Sequence, residues 1–210
     1  MSTERFDSKA ATWDDEPDKV AQAHDVAEGI ADSVPLSRHT RLLEYGAGTG
    51  LVTQALRTRV GPVTLADNSP GMRQMIQDKI ASGALPDAKV WNLDLESQPV
   101  PDQQFDLIVT SMVLHHVRDL SVVLSGFARL LDDGGRLCIA DLDREDGSFH
   151  DHDFDGHHGF DRAELAGALE RAGFAEVGVA DCTQIIRDGR PYPVFLATAR
   201  RLPVTAERSG

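Results

Sequence analysis

Leu42-Leu43-Glu44-Tyr45-Gly46-Ala47-Gly48-Thr49-Gly50 is the stretch whose reading decides the fold. A short apolar run reaches Glu44 and then breaks into glycines at alternate positions. Beyond them Leu51, Val52, Ala55 and Leu56 recur at helical spacing. The order reads as a strand, a tight turn free of bulky side chains, and the start of a helix. Glycine is needed where the backbone takes positive φ or lies against a ligand. A helix N-terminus adds unpaired N–H groups for electron-rich atoms. The turn is therefore expected to cradle a nucleotide-like ligand. The dinucleotide fingerprint G-x-G-x-x-G would require glycine where Leu51 stands.

Outward from the turn, strands and helices alternate. Val63-Thr64-Leu65-Ala66 is a β-rich run ending at Asp67. A carboxylate at the tip of the second strand, about 20 residues past the glycines, holds ribose hydroxyls in doubly wound folds. Two carboxylate oxygens suit two adjacent hydroxyls. Ser69 and Pro70 open a helix with Met72, Met75, Ile76 and Ile80 on its buried face. Residues 89–93 form a third strand, followed by Asp94. Residues 105–113 are the most apolar run, as for a central parallel strand covered on both faces. That run leads into Leu114-His115-His116-Val117.

Asp119 caps the next helix, whose Leu120, Val123, Leu124, Phe127, Leu130 and Leu131 trace one stripe. Asp132-Asp133-Gly134-Gly135 reads as a turn into a strand over residues 136–141. Asp161, with Glu164 as its capping-box partner, opens a last helix that stops at Gly173. Residues 174–180 and 193–199 read as two strands joined through the turn Arg187-Asp188-Gly189-Arg190-Pro191. Ahead of the first strand, residues 1–16 read as a loose arm or a broken helix. Pro17 then starts a helix with Val20, Ala23, Ala27, Ile30 and Ala31 on its apolar face.

The 210 residues fit one domain with room for a real core. A net charge of −13 disfavours phosphate backbones and anionic membranes, which recruit basic patches. Cys138 and Cys182 lack metal-ligand spacing and are expected to be reduced core thiols. The charged opening residues differ from an apolar signal segment, and nothing approaches the length of a membrane span. A cytoplasmic location is expected.

Several motifs occur together. Glu44 precedes the alternating Gly46, Gly48 and Gly50; Asp67 and Asp94 follow; a Phe-Asp-Leu-Ile strand at residues 105–108 runs into Leu114-His115-His116. In this order they resemble the class I S-adenosylmethionine (SAM) methyltransferases that act on small molecules. The resemblance covers residues 38–200. The Asn-Pro-Pro-Tyr pattern of enzymes that methylate planar amino groups of bases is absent, which argues against a nucleobase substrate. Glu-Tyr replaces the commoner Asp-x of the first motif, but the carboxylate is kept. The opening, from Phe6-Asp7 through Trp13-Asp14 to Pro17, also resembles a subgroup of bacterial and fungal methyltransferases of poorly defined substrate.

The resemblance implies an α/β fold: a three-layer, Rossmann-like, seven-stranded sheet, mostly parallel with an antiparallel C-terminal hairpin strand. It implies one domain, with an arm and lid helix over 1–37, a core over 38–200 and a frayed tail over 201–210. SAM would be held by Glu44, Gly46, Ala47, Gly48, Gly50, Asp67, Asn68, Asp94, Leu95 and Ser111, with Asp94 at the adenine amino group and Leu93 or Leu95 flanking the base. Because the methyl group of SAM is already activated, the chain must mainly align an attacking lone pair and exclude water. A base helps only if the nucleophile carries a proton of unsuitable pKa.

Candidates for that base stand where open α/β sheets bind ligands, at the C-terminal strand ends: His115, His116 and Asp141. Trp13, His150, His157 and His158 are candidate substrate contacts, although Trp13 also suits a packing anchor. The loop holding His150, His152, His157 and His158 reads as a solvated loop, a substrate lid or a metal site. No rigid helical or C-x-x-C frame supports the last, and no metal is expected. The expected activity is methyl transfer to oxygen, nitrogen or sulfur of a small molecule by a monomer or homodimer, without nucleic-acid or membrane partners. The alternatives are a non-catalytic SAM-binding protein and a nicotinamide-dependent oxidoreductase, and Leu51 argues against the second.

Overall fold

A computed structural model describes residues 3–150 and 154–203. Its strands are β1 (Leu42–Tyr45), β2 (Val63–Ala66), β3 (Lys89–Trp91), β4 (Phe105–Ser111), β5 (Leu131–Leu142), β6 (Phe174–Arg187) and β7 (Arg190–Arg201). They form one sheet in the order β3-β2-β1-β4-β5-β7-β6. All neighbours are parallel except those of β7, which runs against both β5 and β6. The expected sheet, with its antiparallel hairpin strand, is therefore present. Its order reverses between β1 and β4, so the crevice outside the carboxyl ends of those strands is the topological place for a ligand.

The helices are α1 (Glu4–Lys9), α2 (Pro17–Ser33), α3 (Leu51–Leu56), α4 (Pro70–Ala81), α5 (Leu120–Leu130) and α6 (Arg162–Arg171). Strand residues alternate between two cores, as a period of two requires. Leu43, Ile108, Leu137 and Ile139 pack with Phe127 and Leu130 of α5 and Leu169 of α6. Leu42, Leu107, Val109 and Cys138 pack with Val26 and Ile30 of α2 and Leu56 of α3. Each fully buried large side chain contributes roughly 1.5–3 kcal/mol, and both faces of β4 are filled this way.

Helix starts follow the predicted caps. Ser69 Oγ accepts from Met72 N, and the Asp119 carboxylate accepts from Ser121 N and Val122 N. Asp161 caps α6 through Ala163 N and Glu164 N, but the Glu164 carboxylate reaches out to Arg144 at 2.5 Å. The predicted capping box is thus half made.

Other differences have local causes. Val20 is 42% exposed and Val26 takes its place on the buried face of α2. Strands β6 and β7 extend well beyond the residues expected, because the outward positions of this antiparallel hairpin are polar and hide the period. The turn between them shrinks to Asp188-Gly189, both at positive φ, as a two-residue hairpin demands. Asp132 to Gly135, expected as a turn, is absorbed into β5 opposite a register shift in β4. Cys138 is buried, Cys182 is partly exposed, and both are free. No described helix is long and apolar enough to cross a membrane. His152 and the residues after Pro203 lie outside the described residues.

Candidate active site

The glycine turn is held from below and open on one side. Gly46, Gly48 and Gly50 all take positive φ, at 66°, 55° and 80°. A Cβ on Gly46 would collide with the Val113 side chain, so the turn lies against the loop that follows β4. A Cβ on Gly48 would meet nothing within 4 Å. Bare backbone therefore borders free space at Gly48, as the cradle reading requires.

Asp67 stands at the tip of β2, 8% exposed. Its Oδ2 accepts from Gly48 N at 2.8 Å and its Oδ1 from Ser69 N at 2.8 Å. Burial raises its pKa, against the lowering effect of these two N–H donors. Each carboxylate oxygen keeps a lone pair beyond the one used, so diol binding remains chemically available. Glu44 is buried beneath the turn, where Oε2 accepts from Thr53 N at 3.0 Å. Burial pushes its pKa up to about 7. Glu44 thus props the first turn of α3 from inside.

The other expected cofactor contacts are distributed around the same end of the sheet. Asp94 Oδ1 accepts from Glu96 N at 3.0 Å, closing a turn after β3. Leu95 N donates to Tyr45 Oη at 3.1 Å, which ties that turn to β1. Leu93 and Leu95 are themselves in the core, 4% and 3% exposed. Ala47 is buried against Leu65, Ile76 and Leu85. Asn68 sits half-buried between Asp67 and Ser69, and Ser111 ends β4 opposite Ala140.

Beyond Val113 the chain makes a 3₁₀ turn over Leu114–His116. His115 Nδ1 lies 2.6 Å from Asp141 Oδ1, with the two side chains 2% and 0% exposed. Asp141 Oδ1 also accepts from Leu142 N, and Oδ2 accepts from Leu114 N and His115 N. Three backbone donors suit an ionised carboxylate. An accepting carboxylate at Nδ1 calls for the Nδ1–H tautomer of a neutral imidazole, in which Nε2 is the acceptor nitrogen. Asp141 thus fixes the orientation of the His115 ring. Sequence reading brought out all three residues, His115, His116 and Asp141, but only His115 forms the pair; His116 packs beside it at 4.1 Å between ring centroids.

The loop after β5 folds back over this pair. Arg144 N donates to Phe160 O, Glu145 N to His158 O and Phe160 N to Leu142 O, a short ladder that pins both ends. His157 N donates to His115 O at 2.7 Å. The Glu145 carboxylate accepts from Gly147 N and Phe149 N, and its other oxygen lies 3.3 Å from His158 Nδ1. Phe149 and His150 are thereby set beside His115, at 6.2 Å and 5.5 Å between centroids. His150 also stacks on Phe154 at 3.6 Å. Of the expected substrate histidines, His150 faces the pair, His157 touches it through backbone, and His158 serves the loop. Among the described residues no group of three or more His, Cys, Asp or Glu is arranged to hold a metal ion.

The arm closes the other side. It is a broken helix, α1 followed by a 3₁₀ segment over Ala10–Asp15. Asp7 Oδ1 accepts from Ser69 Oγ at 2.5 Å and from Gly71 N at 2.8 Å, capping α4 from outside. Asp14 accepts from Thr49 Oγ1 at 2.5 Å and pairs with Lys79 at 2.6 Å. Phe6 presents an edge-to-face contact to His116 at 5.4 Å. Trp13 stands behind Phe6, under the Lys19 ammonium at 3.5 Å. Sequence reading did not assign Asp7, Asp14, Thr49, Lys79 or Glu145 to the site. The available signal was two aspartates a helical face apart in the arm, Asp7 and Asp14, each beside an aromatic residue.

A methyltransferase-domain family model matches residues 13–178. The biotin biosynthesis bifunctional protein BioCD of Bordetella avium is 38% identical over 146 residues, covering 67% of this chain and 30% of that protein. The malonyl-[acyl-carrier protein] O-methyltransferase of Laribacter hongkongensis is 30% identical over 207 residues, covering 86% of this chain and 65% of that one. The chain thus spans less than two thirds of the length of either relative. Among solved structures, a SAM-dependent methyltransferase from Aquifex aeolicus superposes with a TM-score of 0.71 at 18% identity, covering 96% of this chain and 100% of that one.

Proposed function

The chain belongs to the methyltransferase-domain family, and from that premise we propose that it methylates an oxygen, nitrogen or sulfur atom of a small molecule, using SAM. The residues present fit that cofactor. Gly48 borders free space, and Asp67 is a buried carboxylate beside it with the chemistry to receive a ribose diol. Gly46, Ala47 and Gly50 would shape the cradle, while Asp94 and the turn tied to Tyr45 would meet the adenine end. When bound, the cofactor supplies a methyl group already activated by its sulfonium.

The share left to the chain is orientation, exclusion of water and control of one proton. The observation that carries the reading is the contact between Gly46 and Val113. It brings the cradle next to the His115–Asp141 pair at one end of the sheet. The His115–Asp141 pair beside the cradle is what supports transfer over binding alone. The formal charge of −13 favours a neutral or cationic acceptor over nucleic acid, in a cytoplasmic monomer or homodimer.

Calorimetry with S-adenosylhomocysteine tests the reading. Binding with one site per chain is expected, and a co-crystal should show the ribose at Asp67. No heat of binding at millimolar ligand, or density elsewhere, overturns it.

A further inference from the structure

We infer that the acceptor is a flat conjugated hydroxyl compound, a phenol or an enol, presented to His115 beneath a cover of aromatic rings. The inference rests on the methyl-transfer reading above and deepens it.

The cover is built from three separate elements. Phe6 comes from the arm, His116 from the turn after β4, and Phe154 from the loop after β5. Phe6 and Phe154 both meet His116 edge to face, at 5.4 Å and 5.2 Å. Phe154 stacks on His150 with 28° between planes. Offset-stacked and edge-to-face pairs are favourable beyond the area they bury. A guest reaching His115 must replace such contacts with its own. A planar conjugated guest exchanges like for like. An aliphatic carboxylate or phosphate gives the contacts up and brings an anion that needs a cation. Two arginines beside this loop are engaged: Arg118 pairs with Asp155 at 2.9 Å, and Arg187 donates to the Phe149 carbonyl.

The oriented imidazole narrows the acceptor further. A carboxylate is ionised at neutral pH and gains nothing from a base. A phenolic hydroxyl, with a pKa of about 10, stays protonated at neutral pH yet can yield its proton to an imidazole. In the transfer, the hydroxyl proton passes to His115 Nε2 and an oxygen lone pair forms the new O–C bond. The C–S bond breaks, and its electron pair returns to sulfur, leaving the neutral thioether and a methyl ether. Asp141 holds the imidazolium that results.

The test separates this inference from its premise. Calorimetry of the full chain with S-adenosylhomocysteine alone comes first, and absence of binding there overturns the methyl-transfer reading itself. With that ligand bound, 4-methylphenol and 4-nitrophenol are titrated against hexanoate, hexylamine and hexanethiol, and transfer from labelled SAM is followed for each. We expect the phenols to bind about tenfold more tightly than the aliphatic compounds and to be methylated. His115→Gln should lower kcat about 100-fold for 4-methylphenol. The loss should be much smaller for 4-nitrophenol at about pH 8.5, where that more acidic phenol is largely ionised already. Phe154→Leu should raise KM for the phenols and leave kcat nearly unchanged. Preference for an aliphatic acceptor overturns the inference, as does an equal loss on both phenols. So does a chain that binds S-adenosylhomocysteine but neither binds nor methylates a phenol.

Discussion

His115 donates from Nδ1 to Asp141 across 2.6 Å, and the aspartate is itself fixed by three backbone N–H groups. The partner of the imidazole therefore cannot turn away without breaking backbone bonds at the ends of two strands. Asp141→Asn is isosteric but presents an amide N–H₂ where an acceptor stood. The imidazole would then accept at Nδ1 and carry its proton on Nε2, the wrong tautomer for a base. The expected result is a kcat lower by about 10²–10⁴ with S-adenosylhomocysteine affinity retained, measured by single-turnover transfer and calorimetry. Unfolding in urea should show a loss of about 1–3 kcal/mol, because a buried charged acceptor is removed. A kcat within threefold of the parent would sink the assignment of His115 as base.

Asp67 joins the glycine turn to the start of α4 and accepts from Gly48 N beside the open face of that residue. Removing it by Asp67→Ala strips two backbone donors of their acceptor and takes away the diol partner. Affinity for S-adenosylhomocysteine is expected to fall by more than about tenfold, the scale of one charge-assisted hydrogen bond. Asp67→Asn keeps an acceptor oxygen and should lose less. Calorimetry that ranks the alanine variant equal to the parent would mean the ribose is held elsewhere.

The sheet and the glycine turn were legible because their signals are local. Three alternate glycines, a carboxylate at each of two strand tips and a two-sided apolar β4 each lie within a few residues. His115 and Asp141 were legible one at a time, as residues at strand ends. Their pairing was not, since it depends on the β4–β5 register that sets Ser111 beside Ala140. The arm was hardest to read. Asp7 and Asp14 look like ordinary solvated aspartates, and their partners Gly71, Thr49 and Lys79 lie 35 or more residues away in sequence. Glu145 was hidden for the opposite reason: its acidic loop reads as surface, yet one of its carboxylate oxygens accepts two backbone N–H groups and the other lies beside His158.

Asp14 latches the arm to the cradle through Thr49 and Lys79. The pair is partly exposed, with side chains 30% and 13% accessible, so its effect on global stability should be small, under about 1 kcal/mol. Its effect on local opening should be larger, because few other polar contacts hold the 3₁₀ segment among the described residues. Asp14→Ala is expected to speed amide exchange across residues 4–15 and to raise the dissociation rate of S-adenosylhomocysteine about tenfold. Exchange mass spectrometry and stopped-flow release measure the two. If the arm exchanges faster but ligand release is unchanged, the arm is no gate for the cofactor.

Glu44 gives the fold a pH dependence of defined sign. Burial pushes its pKa from an ordinary 4.5 up to about 7, against its hydrogen bond from Thr53 N. Between those values the native state keeps a proton that the unfolded chain has released, so stability falls as pH rises through the window. The full loss is about 3 kcal/mol, reached once pH exceeds the native value. Glu44→Gln keeps an acceptor for Thr53 N and has no charge to bury. The variant should therefore match the parent near pH 4.5, gain on it steadily to pH 7, and hold a constant advantage above that. Urea midpoints measured across this range decide the matter. Parallel curves for the two proteins would mean that Glu44 is ionised in the folded state, and that the field around the glycine turn is more favourable to a carboxylate than its burial implies.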